Sequence, residues 1–134
     1  MKARLALVCL MTTILLSLLA CSSAASKELS VDITSSGKEV TLAAGGTLTV
    51  TLESNITTGY SWNETANISG KLVLQQTDHK YETQATPALG AGGKEVWTFK
   101  ALKAGKSTIS MEYRRPFEPT AVPAKMFTLT VVVQ

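Results

Sequence analysis

Cysteine is nearly absent from this chain. The two present, Cys9 and Cys21, both lie near the N-terminus, so everything after residue 21 lacks a disulfide and must be held by its own core. Histidine is scarcer still. His79 is the single one, which excludes a histidine-rich metal site, and its neighbours Asp78 and Lys80 suggest an exposed place at a strand end. No serine sits in a nucleophile elbow. The carboxylates are scattered, mostly on outward strand positions, and no pair is set apart by spacing for acid–base work. The glycine-rich run 90–93 is followed by a strand pattern rather than a helix, so it is no phosphate cradle. Enzymatic readings therefore fail for want of parts, and no residue set asks for a cofactor. Charge of one sign is lacking too. The formal net charge is +3, and much of that comes from Lys2 and Arg4. The remainder is close to neutral and offers no electrostatic footprint for nucleic acid.

The one long hydrophobic run is at the start. Lys2 and Arg4 precede an apolar stretch from Leu5 to about Ala20, the order of a secretory signal. It is shorter than the roughly 20 apolar residues a membrane span requires. It ends in Leu18-Leu19-Ala20-Cys21, which resembles a bacterial lipobox, with Cys21 as the acylated first residue of the mature protein. A plain signal peptide cut nearby is the alternative. The expected organisation is a leader over 1–20, a lipidated Cys21 with a small polar tether over 21–28, and one domain over 29–134. Ser22, with no aspartate after the cysteine, matches outer-membrane sorting. The expected location is exported and lipid-anchored, facing the periplasm or the cell surface.

Helical spacing is missing from the domain, and period-two alternation takes its place. Leu29, Val31 and Ile33 alternate with polar residues, as do Leu48, Val50 and Leu52, and then Trp97, Phe99 and Ala101. The same holds for Ile109, Met111 and Tyr113, and for Phe127, Leu129, Val131 and Val133. Each set predicts a strand with one face inward and one toward water. Weaker strands are predicted at Val40–Leu42, Tyr60–Trp62, Leu72–Leu74 and His79–Tyr81. Turn signals separate them at Gly37, Gly45-Gly46, Gly59, Gly70, Gly90 through Gly93, Gly105 and Pro116. About seven or eight short strands predict an all-β sandwich or barrel. Trp62, on the third strand, resembles the buried tryptophan of an immunoglobulin-like β-sandwich without the disulfide of antibody domains.

Three segments stand apart from ordinary connectors. They are Asn55-Ile56-Thr57-Thr58-Gly59-Tyr60, Gly90-Ala91-Gly92-Gly93 and Arg114-Arg115-Pro116-Phe117. Taken singly, each suits a turn, a flexible hairpin tip or a strand end. Together and in this order they resemble the hallmark loops of the chagasin family of cysteine peptidase inhibitors, Asn-Pro-Thr-Thr-Gly, Gly-x-Gly-Gly and Arg-Pro-Trp. The flanks Tyr60-Ser61-Trp62, Trp97-Thr98-Phe99 and Tyr113 are similar as well. The resemblance spans about residues 29 to 133. Ile56 stands where the family has proline and Phe117 where it has tryptophan.

The resemblance implies a reversible inhibitor of papain-like cysteine proteases, monomeric and without catalytic residues. Its three loops, gathered at one end of the sandwich, would occlude the cleft. Asn55, Ile56, Thr57, Thr58, Gly59 and Tyr60, then Gly90, Ala91, Gly92 and Gly93, then Arg115, Pro116 and Phe117, would form the protease-binding set. Tyr60 closes the first loop and also suits the flank of a core, where Trp62, Trp97, Phe99 and Tyr113 belong. Glycine at 90, 92 and 93 would allow positive φ and close backbone approach. The rival readings are a non-inhibitory immunoglobulin-like binding or envelope-structural lipoprotein and a carbohydrate-binding domain, for which Phe117 is the main exposed aromatic.

Overall fold

A computed structural model describes residues 24–85 and 89–134. The leader and Cys21 lie outside the described residues. Eight strands follow in chain order: β1 (Ser26–Val31), β2 (Lys38–Ser54), β3 (Ser61–Trp62), β4 (Asn67–Ser69), β5 (Leu74–Thr83), β6 (Gly93–Ala101), β7 (Gly105–Arg114) and β8 (Lys125–Val133). No α-helix occurs among the described residues, and the all-β immunoglobulin-like sandwich is observed.

The hydrogen-bonded path runs β3-β7-β8-β2-β6-β5, with β1 beside β2 and β4 beside β7. Strand β2 belongs to both layers. Its first part, Lys38–Leu42, runs parallel to β8. Its second part, from Thr47 to Ser54, is antiparallel to β6, and Thr47–Val50 also take β1 as a parallel neighbour. Gly45-Gly46 is therefore a bend within one strand rather than a turn between two. Gly45 has φ 79°. A Cβ on Gly46 would stand 2.7 Å from the Ala43 carbonyl oxygen and 2.8 Å from that of Lys27, a separation no side chain tolerates without moving backbone.

The inward parity predicted from sequence is the core. Leu48, Val50, Leu52, Trp97, Phe99, Ala101, Ile109, Met111, Phe127, Leu129, Val131 and Val133 are all buried in one cluster with Leu42, Trp62 and Tyr113. The threonines opposite them on β2 and β8 are half-buried. The alternation carries the architecture because a two-layer sheet needs one apolar face per strand.

Four expectations need correction. Strand β1 stops at Val31, and Ile33 opens a 3-10 turn with its side chain exposed. The reason is Asp32, whose Oδ1 accepts from the Thr34 N–H at 2.8 Å and from its hydroxyl at 2.6 Å. These bonds also hold the Asp32 carboxyl below its usual pKa range. Such a local alternative to the ladder ends a strand. Leu72 is exposed in the turn after Gly70, and the strand begins at Leu74. That strand continues through His79–Tyr81, so the two predicted strands are one, with a bulge between Gln76 and Asp78. His79 accordingly sits in mid-strand and not at an exposed strand end. The short β4 went unpredicted, because three residues with one buried side chain, Ile68, leave no periodic signal.

Replacing Gly46 with alanine should lower unfolding free energy by about 2 kcal/mol, the cost of forced repacking. A urea melt of Gly46→Ala against the parent checks this, and an unchanged midpoint would show that the bend accommodates a side chain.

Candidate functional site: three loops at one end

The loops between β2 and β3, β5 and β6, and β7 and β8 gather at one end of the sandwich, here called the apex. Loop 1 begins where Ser54 leaves β2. Asn55 caps a single 3-10 turn, Ile56–Thr58, which Gly59 ends in the left-handed conformation at φ 81°. The Asn55 Oδ1 accepts from the Thr57 N–H at 3.2 Å and from its hydroxyl at 2.5 Å, and the Thr58 hydroxyl donates to the Asn55 carbonyl at 2.6 Å. Ile56, in the place where proline would fix φ, therefore sits in a turn that its neighbours' hydrogen bonds already hold. Its side chain is 51% exposed.

Asn55 also ties this loop to the others. Its side-chain Nδ2 donates to the Gly90 carbonyl at 3.1 Å, in loop 2. Its backbone N–H donates to the Tyr113 hydroxyl at 3.0 Å, on β7 just before loop 3. Loop 3 leans back in turn. A Cβ placed on Gly59 would meet the Phe117 ring at 3.3 Å, and the Arg115 guanidinium lies over the Tyr60 ring at 4.7 Å, within cation–π reach. Tyr60 stacks on Tyr113 with ring centroids 5.5 Å apart, and Trp62 packs against Tyr113 at 5.2 Å. An aromatic column thus joins the loops to the core.

The named residues divide by depth. Ile56, Thr57, Thr58, Gly90, Pro116 and Phe117 are exposed, with Phe117 at 68%. Asn55, Gly59, Tyr60, Ala91, Gly92 and Arg115 are half-buried. Gly93 is different: it is buried, belongs to β6 and pairs with Ser54 and Thr83. A Cβ there would collide with the Tyr81 hydroxyl and the Glu82 carbonyl, so this glycine serves packing. Of the three glycines expected to use positive φ, only Gly90 does so, at 79°.

Sequence reading missed one part of the site. Glu95 is 3% exposed, against the expectation that carboxylates lie outward. Its Oε1 accepts from the Ser54 hydroxyl at 2.6 Å and from the Trp62 N–H at 3.0 Å, while Oε2 lies 2.9 Å from His79 Nε2. The signal was parity: Glu95 shares the inward register of Trp97 and Phe99. His79 also packs on Trp97, with centroids 4.9 Å apart.

Among the described residues no three His, Cys, Asp or Glu side chains group as a metal site, and the exposed groups are hydroxyls, an aliphatic tip, glycine backbone and a phenyl ring. Its class is that of an all-β sandwich presenting three linked loops at one end.

Comparison with known proteins gives the family. Residues 41–131 match the Chagasin family peptidase inhibitor I42. Amoebiasin-1 of Entamoeba histolytica is 34% identical over 96 residues, 71% of this chain and 89% of that protein. Chagasin of Trypanosoma cruzi is 29% identical over 99 residues, 69% of this chain and 86% of its own. The crystal structure of the cysteine protease inhibitor EhICP2 from Entamoeba histolytica shares the fold, with a TM-score of 0.71, 21% identity, and coverage of 80% of this chain and 96% of that one. The chain belongs to the chagasin family of peptidase inhibitors. It is a peptidase inhibitor and not an enzyme.

Removing the Tyr113 hydroxyl leaves the Asn55 N–H without its acceptor while keeping the aromatic column. Tyr113→Phe should cost about 1 kcal/mol by denaturant melt, and hydrogen exchange should quicken at Asn55. Exchange unchanged at Asn55 would show that the bond does not hold the loop.

Proposed function

We propose that the apex is the inhibitory surface and that it plugs the active-site cleft of a papain-like cysteine protease. The observation that carries this reading is the mutual bonding of the loops. Asn55 reaches Gly90 and Tyr113, Arg115 covers Tyr60, and Phe117 meets Gly59, so the three exposed tips behave as one preorganised edge. Loops ordered before contact lose less conformational entropy on binding.

Thr57 and Thr58, at the crest of loop 1, are suited to lie over the catalytic cysteine and histidine of the target. They have no base beside them and donate no group that reacts, so the block is reversible and loop 1 need not be cleaved. Loop 2 meets the enzyme mainly through backbone at Gly90, Ala91 and Gly92. Phe117 supplies an exposed aromatic anchor and Arg115 its cationic neighbour, residue types enriched at interface hot spots. Phenylalanine in place of tryptophan keeps an anchor but gives up area and the indole donor. Ile56 in place of proline is offset by the Asn55 cap.

The domain is anchored through Cys21, with residues 1–20 as its leader, and works as an exported monomer at a membrane surface. Strand β1 starts at Ser26 and runs parallel to β2 toward Ser54, so the chain enters the fold at the end away from the apex. A tether there turns the inhibitory loops outward.

Titration of papain and of a cathepsin L-type enzyme with residues 22–134 tests the surface. Tight, reversible inhibition should weaken about 100-fold in Thr57→Arg or Gly92→Arg, roughly 2.7 kcal/mol of binding free energy. Full enzyme activity at micromolar domain would overturn the reading in favour of a non-inhibitory binding module. For the anchor, intact-mass measurement on membrane extracts should show an acylated chain that Cys21→Ser abolishes. An unmodified parent chain would sink it.

A further inference from the structure

Loop 1 leaves β2 in one layer and enters β3 in the other, so its two feet belong to different layers. Ser54 is the last residue of β2, immediately before Asn55, and Trp62 ends the short β3. Both feet bond to the same atom. Glu95 Oε1 accepts the Ser54 hydroxyl at 2.6 Å and the Trp62 backbone N–H at 3.0 Å. The second oxygen, Oε2, is occupied by His79 Nε2 at 2.9 Å.

This carboxylate sits on β6, opposite Leu52 of β2 and Tyr81 of β5. Among the described residues the buried polar side chains are Ser54, Glu95 and Ser107, and the first two are bonded to each other directly beneath the apex. Burying a carboxylate is costly unless every lone pair finds a donor. An apolar side chain could fill this position, so a carboxylate here asks for a reason other than the core.

We propose that Glu95 is a positioning residue for inhibition: its carboxylate clamps the two feet of loop 1 at a fixed separation, and His79 fixes the carboxylate. The clamp sets the height and tilt of Thr57 and Thr58 without touching the protease. Ser54 supplies one bond and Trp62 the other, so the clamp works across the layers where strand pairing cannot. This rests on the reading of the apex as the inhibitory surface.

The test uses the full chain with four substitutions and two readouts. Glu95→Met keeps the side-chain length and removes both acceptors. Glu95→Gln keeps the Oε1 acceptor. Ser54→Ala removes one foot's bond, and Val131→Ala opens a core defect in β8, away from loop 1. Inhibition of papain and amide hydrogen exchange across residues 54–62 are measured for each, with melting temperatures alongside. The expected pattern has the inhibition constant rising tenfold or more in Glu95→Met and threefold or more in Ser54→Ala. Glu95→Gln should stay within about threefold of the parent, and Val131→Ala should leave inhibition unchanged despite a lower melting temperature. Exchange should quicken at Trp62 and through Asn55–Tyr60 in Glu95→Met and Ser54→Ala alone.

An inhibition constant that tracks melting temperature across all four variants would reduce Glu95 to an ordinary core residue and overturn the proposal. If Glu95→Met does not fold, Ser54→Ala against Val131→Ala decides the same question. If the parent chain itself does not inhibit, the apex reading fails. The clamp then stands or falls on the exchange of residues 54–62, which requires no protease.

Discussion

One strand, β2, holds the molecule in register. Its first part lies beside β8 and its second part beside β6 and β1, so the two layers share a backbone and cannot slide independently. That continuity depends on a bend where Ala43 and Lys27 carbonyls crowd the Gly46 position and only a glycine fits. The three apex loops gather at the far end of this strand, where Ser54, its last residue, is the first foot of loop 1.

From there the apex is organised by hydrogen bonds more than by apolar packing. Asn55 uses its backbone donor, its amide donor and its amide acceptor on three different partners. The geometry of the loops therefore comes from saturating one short polar side chain, while the aromatic column of Tyr60, Tyr113 and Trp62 gives it a floor. Below that floor Glu95 joins the layers. The arrangement separates tasks by depth: apolar side chains hold the sandwich, buried polar groups hold the loops, and the exposed tips are free to meet a partner.

The same separation explains why the two departures from the family loop pattern are compatible with the fold. Ile56 is exposed and its turn is capped from Asn55, so the ring constraint of a proline is replaced by bonds already present. Phe117 is exposed and leans on Gly59, where any side chain would crowd the ring. Both departures lie on exposed tips, and neither reaches the core.

Sequence by itself determined the fold class, the inward faces of β6, β7, β8 and the second part of β2, and where the three loop segments lie along the chain. Alternation of apolar and polar residues is a local property that any two-layer sheet must obey, and hallmark loops are contiguous stretches. Tertiary structure decided what depends on residues distant along the chain. Gly45-Gly46 reads as a turn until both halves of β2 find their separate partners. His79 reads as an exposed strand end until the bulge at Thr77 carries β5 past it and brings its ring onto Trp97. Gly93 reads as loop until Tyr81 and Glu82 close over it. Glu95, 33 residues from Trp62 and 41 from Ser54, carries only the faint signal of a charge on the inward face, since a carboxylate's donors become visible only when separate strands bring them to it.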